Sequence, residues 1–350
     1  MASGSPRAGQ GGAAPLKVKE FVGSVARLEW AKVNGCPWQP RTCDLAARGG
    51  RLEVLRWARD HGCEWDAWTC ATAAAGGHLE VLQWAREHGC PWDEDFGGDM
   101  DCCALAARGG HLEVLEWLWE HDCSWDAWTC ASAAQGGHLE VLKWAREHGC
   151  PWVEVDGDDA EYVLNCCACA AAHGHLEVLK WLREHDCPWD EGTCASAAQG
   201  GHLAVLQWAR EQDCPWGGKT CALAAMGGHL AVLQWAREHD CPWDVWTCAR
   251  AARGGHLEVL KWARAHGCEW DSWTCALAAE GGRLEVLKWA REHDCPWVAR
   301  TCVFAAKCGR LEVLKWAREQ GCEWNAIECA RVAEAHGHVE VARWVWAQPD

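Results

Sequence analysis

Fifty acidic residues against 33 basic ones give this 350-residue chain a net charge of −17, without the basic stripe that phosphate neutralisation in nucleic-acid binding requires. At 49% hydrophobic and 24% charged residues the chain is not of the disordered class, and no apolar run reaches the ~20 residues of a membrane span. The N-terminus lacks the apolar core of a secretory signal, so 26 cysteines point to a reducing compartment, cytoplasmic or nuclear.

Residues 1–15 are rich in Gly, Ala and Ser and read as a disordered tail; the alternative is a short transit peptide, since no acid precedes Glu20. Leu16 to Val22 resembles a degenerate inner helix with Val25 to Asn34 as its partner, an end cap whose Lys17, Lys19 and Glu20 form a polar face. From there the stretch GGHLEVLKWAREHGCPW, residues 136–152, recurs in near-copies to residue 347. Its helical Trp sits at 30, 57, 84, 117, 144, 181, 208, 235, 262, 289, 316 and 344, mostly 27 residues apart, with exceptions of 33, 37 and 28. A fixed period in this range means stacked supersecondary units, each touching only its neighbours, so chain length does not count domains here.

Residues 69–92 serve as the type unit. Thr69 is expected to cap a short helix made of Ala and Cys, Cys70 to Ala75, which Gly76-Gly77 ends. His78 opens a second helix, Leu79 to His88, with Glu80 and Arg86 placed to suit its dipole. Gly89 stops it, and Asp122, Asp186, Asp213, Asp240 and Asp294 fill that slot elsewhere, Asp being a residue that tolerates the left-handed conformation. The apolar face Leu79, Val81, Leu82, Trp84 and Ala85 is wide enough for neighbours on both sides, and the Trp is expected to fill the space that the small inner helix leaves. Two units carry longer, acidic loops, at 93–101 and 153–165, with Asp95 and Asp99 in one and Asp156 and Asp158 in the other. They are expected on one edge of the stack, roughly 20 Å apart at ~8–10 Å per helix layer.

The run C-A-x-A-A-x-G-G-H-L-E-V-L-K-W, seen in residues 194–208 apart from Ala204 and Gln207, resembles an ankyrin repeat. Aligning Gly137-His138 with the Gly-His of the family pattern T-P-L-H-x-A-A-x-x-G-H-x-x-V-V-x-x-L-L-x-x-G-A places Cys130 in a core Leu slot and Ala131 in the His slot. Trp144 then replaces a core Leu, and Cys150 the small Ala. The family unit is about 33 residues, so the missing residues fall in the hairpin finger. The resemblance is to short Trp- and Cys-rich ankyrin repeats of the protist and giant-virus kind. It implies an all-α, ankyrin-like helix-turn-helix repeat solenoid with truncated hairpin fingers, about twelve repeats over residues 16–347. It also implies a protein partner gripped by inner helices and finger tips on the concave face. T-P-L-H itself is largely gone. A leucine-rich repeat shares the period, but L-E-V-L-K-W lacks its strand signature.

The cysteines recur in two slots, as Cys63 and Cys70, which reads as core packing by reduced thiols rather than the clustered spacing of a zinc site. The one local exception is Cys166, Cys169 and His173, at i, i+3 and i+7 beside an acidic loop. The repeated His reads as a backbone hydrogen-bonding residue, replaced by Arg51, Arg283 and Arg310. No nucleophile elbow, phosphate loop or H-E-x-x-H motif is present, so no enzyme and no cofactor are expected. Two slots vary while the rest is copied. One closes the inner helix, with Arg48, Arg108, Gln135, Gln199, Met226, Arg253 and Lys307; the other lies at the stub tip, with Trp68, Trp128, Trp246, Trp273 and Arg300. Trp and Arg are the types enriched at interface anchors, so these residues and the four loop aspartates form the expected partner-binding set. The expected protein is a monomeric, non-enzymatic scaffold that binds a protein rather than nucleic acid or membrane; the alternative is a cysteine-based metal or redox protein.

Overall fold

The computed structural model describes residues 22–35, 41–91, 101–123, 125–152 and 165–348. Among them are 23 helices and no strand, and no helix is long and apolar enough to cross a membrane. The chain divides into two compact bodies, 1–154 and 155–350, the division falling inside the second acidic insertion. Within each body the repeats stack as a helical solenoid, and inner helices pack directly on inner helices. The first described helix is Val25–Val33, as the sequence indicates. The tail at 1–15 lies outside the described residues, as do most of the two insertions, with Asp95, Asp99, Asp156 and Asp158.

A unit of the second body shows why each element forms where it does. The inner helix Val245–Gly254 starts at Asp244, whose carboxylate accepts from the Trp246 backbone N–H at 3.0 Å. This corrects the expected Thr cap: Thr69, like Thr247, sits inside its helix and is fully buried, and Asp66 caps Ala67–Ala75. A carboxylate at this position satisfies a free amide and meets the positive helix end. Cys248, Ala249, Ala251 and Ala252 are fully buried, and side chains this small let neighbouring inner helices approach. Gly255, at φ +86°, turns the chain, and the outer helix Leu257–Ala265 buries Val259, Leu260 and Ala263.

The hydrogen bond that ties one repeat to the one before comes from the residue preceding each outer helix. His229 Nε2 donates to the Gln199 carbonyl at 2.9 Å, and His202 to Ala172 at 3.1 Å. Where Arg takes the slot, Arg283 Nε donates to Arg253 and Arg310 Nε to Glu280, both at 3.2 Å. The Gly-Gly before the ring answers to two separate demands. Gly201 needs φ +78°, and a Cβ there would strike the His229 ring; a Cβ on Gly200 would strike the Ala172 carbonyl and the His202 ring.

The outer surface carries an aromatic staple. Arg183 donates to the Cys187 carbonyl at 2.6 Å and lies over Trp189 at 4.2 Å; Trp189 in turn meets Trp208 of the next outer helix edge-on at 6.0 Å. In other units the outer-helix Trp also stacks on the His one turn later, Trp235 on His239 at 4.2 Å. These tryptophans are half-buried, whereas the largest fully buried side chains are Leu206, Leu233, Leu260 and their equivalents. The expectation that Trp fills the core is therefore wrong. The small inner helices close up among themselves, and the indoles join repeats from outside, each ring or cation pair contributing about 0.5–1.5 kcal/mol.

The positive φ of the five Asp residues, 57–62°, agrees with the sequence reading. Gly267 occupies the same slot at φ +85° with nothing near its Cβ position, so Gly267→Ala is expected to cost only the left-handed strain, about 1–2 kcal/mol. Gly201→Ala adds the displaced His229 ring and is expected to cost clearly more. Urea midpoints of the two variants check this; equal losses would remove the close-approach role of the Gly-Gly pair.

Candidate interaction face

Along an inner helix, the residues that stacking does not use fall at i, i+4 and i+7. In Val245–Gly254 these are Trp246, Arg250 and Arg253, one stripe opposite the buried Cys and Ala. The two variable slots of the sequence thus share a face with a third that the sequence reading missed, which holds Leu45, Thr72, Leu223, Arg250 and Phe304 among others. Several of those residues also suit a core, which hid the variation.

In the second body this face is a connected row. Trp246 and Trp273 have ring centroids 5.5 Å apart, and Trp273 lies 5.9 Å from Phe304. Arg300 sits over Trp273 at 4.2 Å, Arg250 Nη1 reaches Met226 Sδ at 3.4 Å, and Arg253 pairs with Glu280 at 2.9 Å. A groove of about 320 Å³ opens beside Trp246, lined by Gly218, Lys219, Ala222, Leu223, Asp244 and Arg250. Trp246 is 40% exposed; Trp273 is half-buried, and Arg300 and Lys307 are exposed. Gln199 is exposed, and Met226 and Arg253 are half-buried.

In the first body Arg48 and Arg108 are exposed, and Trp68, Trp128 and Gln135 are half-buried. A groove of about 510 Å³ there is lined by Arg41, Asp44, Leu45, Arg48, Asp66, Trp68 and Thr72. Asp44 replaces the usual Ala of the inner helix. Burial raises its pKa, and a hydrogen bond donated by Thr69 Oγ1 at 2.9 Å opposes that rise. Of the first insertion, Asp101 is described: it is buried and caps Cys102–Gly109.

The cysteines of the two slots are largely buried, as the sequence reading expects, and they meet in pairs. Partners lie twenty apart, inside one repeat: Cys194 with Cys214, Cys221 with Cys241. Their thiol hydrogen bond and burial raise the pKa of the first, while accepting that bond lowers the second. The second sulfur also donates to the residue that caps the inner helix, as Cys268 Sγ to the Asp244 carbonyl at 3.3 Å. Cys166 is buried and hydrogen-bonds Cys187, Cys169 is half-buried, and His173 is exposed with Nδ1 3.1 Å from the Cys169 carbonyl. Among the described residues no group of three or more His, Cys, Asp or Glu is placed to hold a metal ion.

A family model described as ankyrin repeats (many copies) matches residues 70–118 and 130–183. The chain carries ankyrin repeats over those residues. The match spans four of the outer-helix tryptophans, and the units beyond it copy the same sequence. Among solved structures, the human ASB11 ankyrin repeat domain aligns at 18% identity and a TM-score of 0.38, over 53% of this chain and 99% of that one. A search of curated proteins gives no match. The family assignment rests on the sequence model.

Thr247 Oγ1 is buried without a hydrogen-bond partner among the described residues, so Thr247→Val is expected to be neutral or stabilising in a urea melt. Thr69→Val removes the donor to Asp44 and is expected to cost about 1–3 kcal/mol. Similar midpoints for both would contradict the role given to the Thr69 bond.

Proposed function

We propose that this protein is a monomeric, non-enzymatic scaffold that binds a protein partner through its inner-helix face, in the cytoplasm or nucleus. Ankyrin repeats are in general protein–protein interaction modules. The observation that carries the reading is the row Trp246, Trp273 and Phe304 with Arg300 stacked on it. Residue types enriched at interface anchors are held side by side on a surface that the stack does not need. The other variable positions extend the same reading to the inner-helix face of each body: Arg48, Trp68, Arg108, Trp128 and Gln135 in the first, and Gln199, Met226, Arg253 and Lys307 in the second. The insertion with Asp95 and Asp99 and the insertion with Asp156 and Asp158 are each acidic in sequence, which suits either of them to a basic stretch of the partner.

The alternative of a metal or redox store has less support, because the described thiols are largely buried and are committed to core packing and to hydrogen bonds with carbonyls and with each other. Capture from the native cell separates the readings. A doubly substituted chain, Trp246→Ala with Trp273→Ala, is expected to retain its circular dichroism and lose its partner at least tenfold, while the outer-helix control Lys261→Ala retains both. A partner held equally by all three chains would place binding elsewhere. Stoichiometric zinc or copper in the purified chain would favour the alternative.

A further inference from the structure

The cations of this acidic chain are not used alike on its two surfaces. On the outer helices they are committed internally: Lys143, Lys180, Lys261, Lys288 and Lys315 each pair with the Glu three residues before, at 2.7–3.0 Å. On the inner face Arg250 contacts the thioether of Met226, a weak acceptor, and Arg300 contacts the face of Trp273. Neither they nor Lys307 has an ion pair among the described residues. The carboxylates on that face are already engaged. Glu280 holds Arg253, Glu191 lies 3.3 Å from Lys219, and Asp244 and Asp271 cap the helices that carry Trp246 and Trp273. A guanidinium lying on an indole keeps its N–H edge available for a bidentate carboxylate, and apolar side chains sit between the cations.

We propose that the face spanning residues 218–307 binds a peptide segment of a partner protein in which carboxylates flank one aromatic or branched apolar side chain. The apolar residue enters the groove beside Trp246 and Leu223, and the carboxylates meet Arg250, Arg300 and Lys307. The row from Trp246 through Trp273 to Phe304 runs in steps of 5.5 and 5.9 Å, a length that about four residues of extended segment span at ~3.3 Å each. This inference rests on the proposed function and adds the chemistry of the partner. Salt is expected to weaken the complex, because exposed charges are screened.

The test uses the full chain and three fluorescein-labelled octapeptides: one with Glu flanking a central Phe, one with Lys in place of each Glu, and one with Ala in place of Phe. Fluorescence anisotropy is followed to millimolar protein at 50 and 300 mM salt. The Glu–Phe peptide is expected to bind. Its affinity should fall at least tenfold in Arg250→Ala/Arg300→Ala, at least tenfold in Trp246→Ala/Trp273→Ala, and severalfold at the higher salt. The Lys and Ala peptides are expected to bind at least tenfold more weakly. Urea midpoints near that of the parent chain establish that both variants fold; Arg300→Lys alone retains the charge without the stacked fork and should fall in between. Preference for the Lys peptide, lost in the Trp variant, would overturn the inference and leave the binding face standing. Glu–Phe binding that neither variant changes would overturn both.

Discussion

Neighbouring repeats within a body are set against one another by a side-chain nitrogen reaching back to a backbone carbonyl at the end of the preceding inner helix, as His78 and His111 do in the first body and His202, His229, Arg283 and Arg310 in the second. The carbonyl belongs to the last turn of a helix, where orphan acceptors need partners. Bringing ring and carbonyl together leaves no room for a Cβ on either side, hence the paired glycines. Ring chemistry is not required, which is why Arg serves in the same slot.

The rest of the architecture follows from that close approach. Inner helices drawn together across their ends must be narrow, and Ala with Cys supplies narrow apolar side chains. Outer helices receive Trp instead, half-buried, bridging to the Trp of the preceding stub under an Arg that also holds the turn. One stripe of the inner helix is largely left without a packing duty, although Ser132 and Leu277 on it are buried. The side chains there diverge from unit to unit, and between residues 218 and 307 they include the ring row with Arg250, Arg300 and Lys307, which have no ion pair among the described residues.

The repeat period, the helix pairs and the left-handed Asp slots were legible because each is a local rule copied many times. The His role was legible for the same reason, and its replacement by Arg excluded a titration requirement. Three features were not. Asp66 rather than Thr69 caps the inner helix, because the stub chain is already extended at Asp66 and the helix starts earlier than its Ala/Cys run suggests. The outer-helix Trp looked like core because it alternates with buried Leu, yet its burial depends on how far apart the outer helices stand. The third variable slot, with Leu223, Arg250 and Phe304, was masked by residues that suit either a core or a surface. The insertions carrying Asp95, Asp99, Asp156 and Asp158 lie outside the described residues.

The claim on which all of this depends is that the link between repeats is a donated hydrogen bond rather than an imidazole packing by shape. It is tested most directly by the urea midpoints of His229→Arg and His229→Ala. The Arg chain is expected to stay near the parent, as Arg283 and Arg310 do the same work in their own repeats, while the Ala chain loses about 1–2 kcal/mol from a carbonyl left without its donor. If Arg destabilises as much as Ala, the carbonyl bond is not what holds neighbouring repeats together.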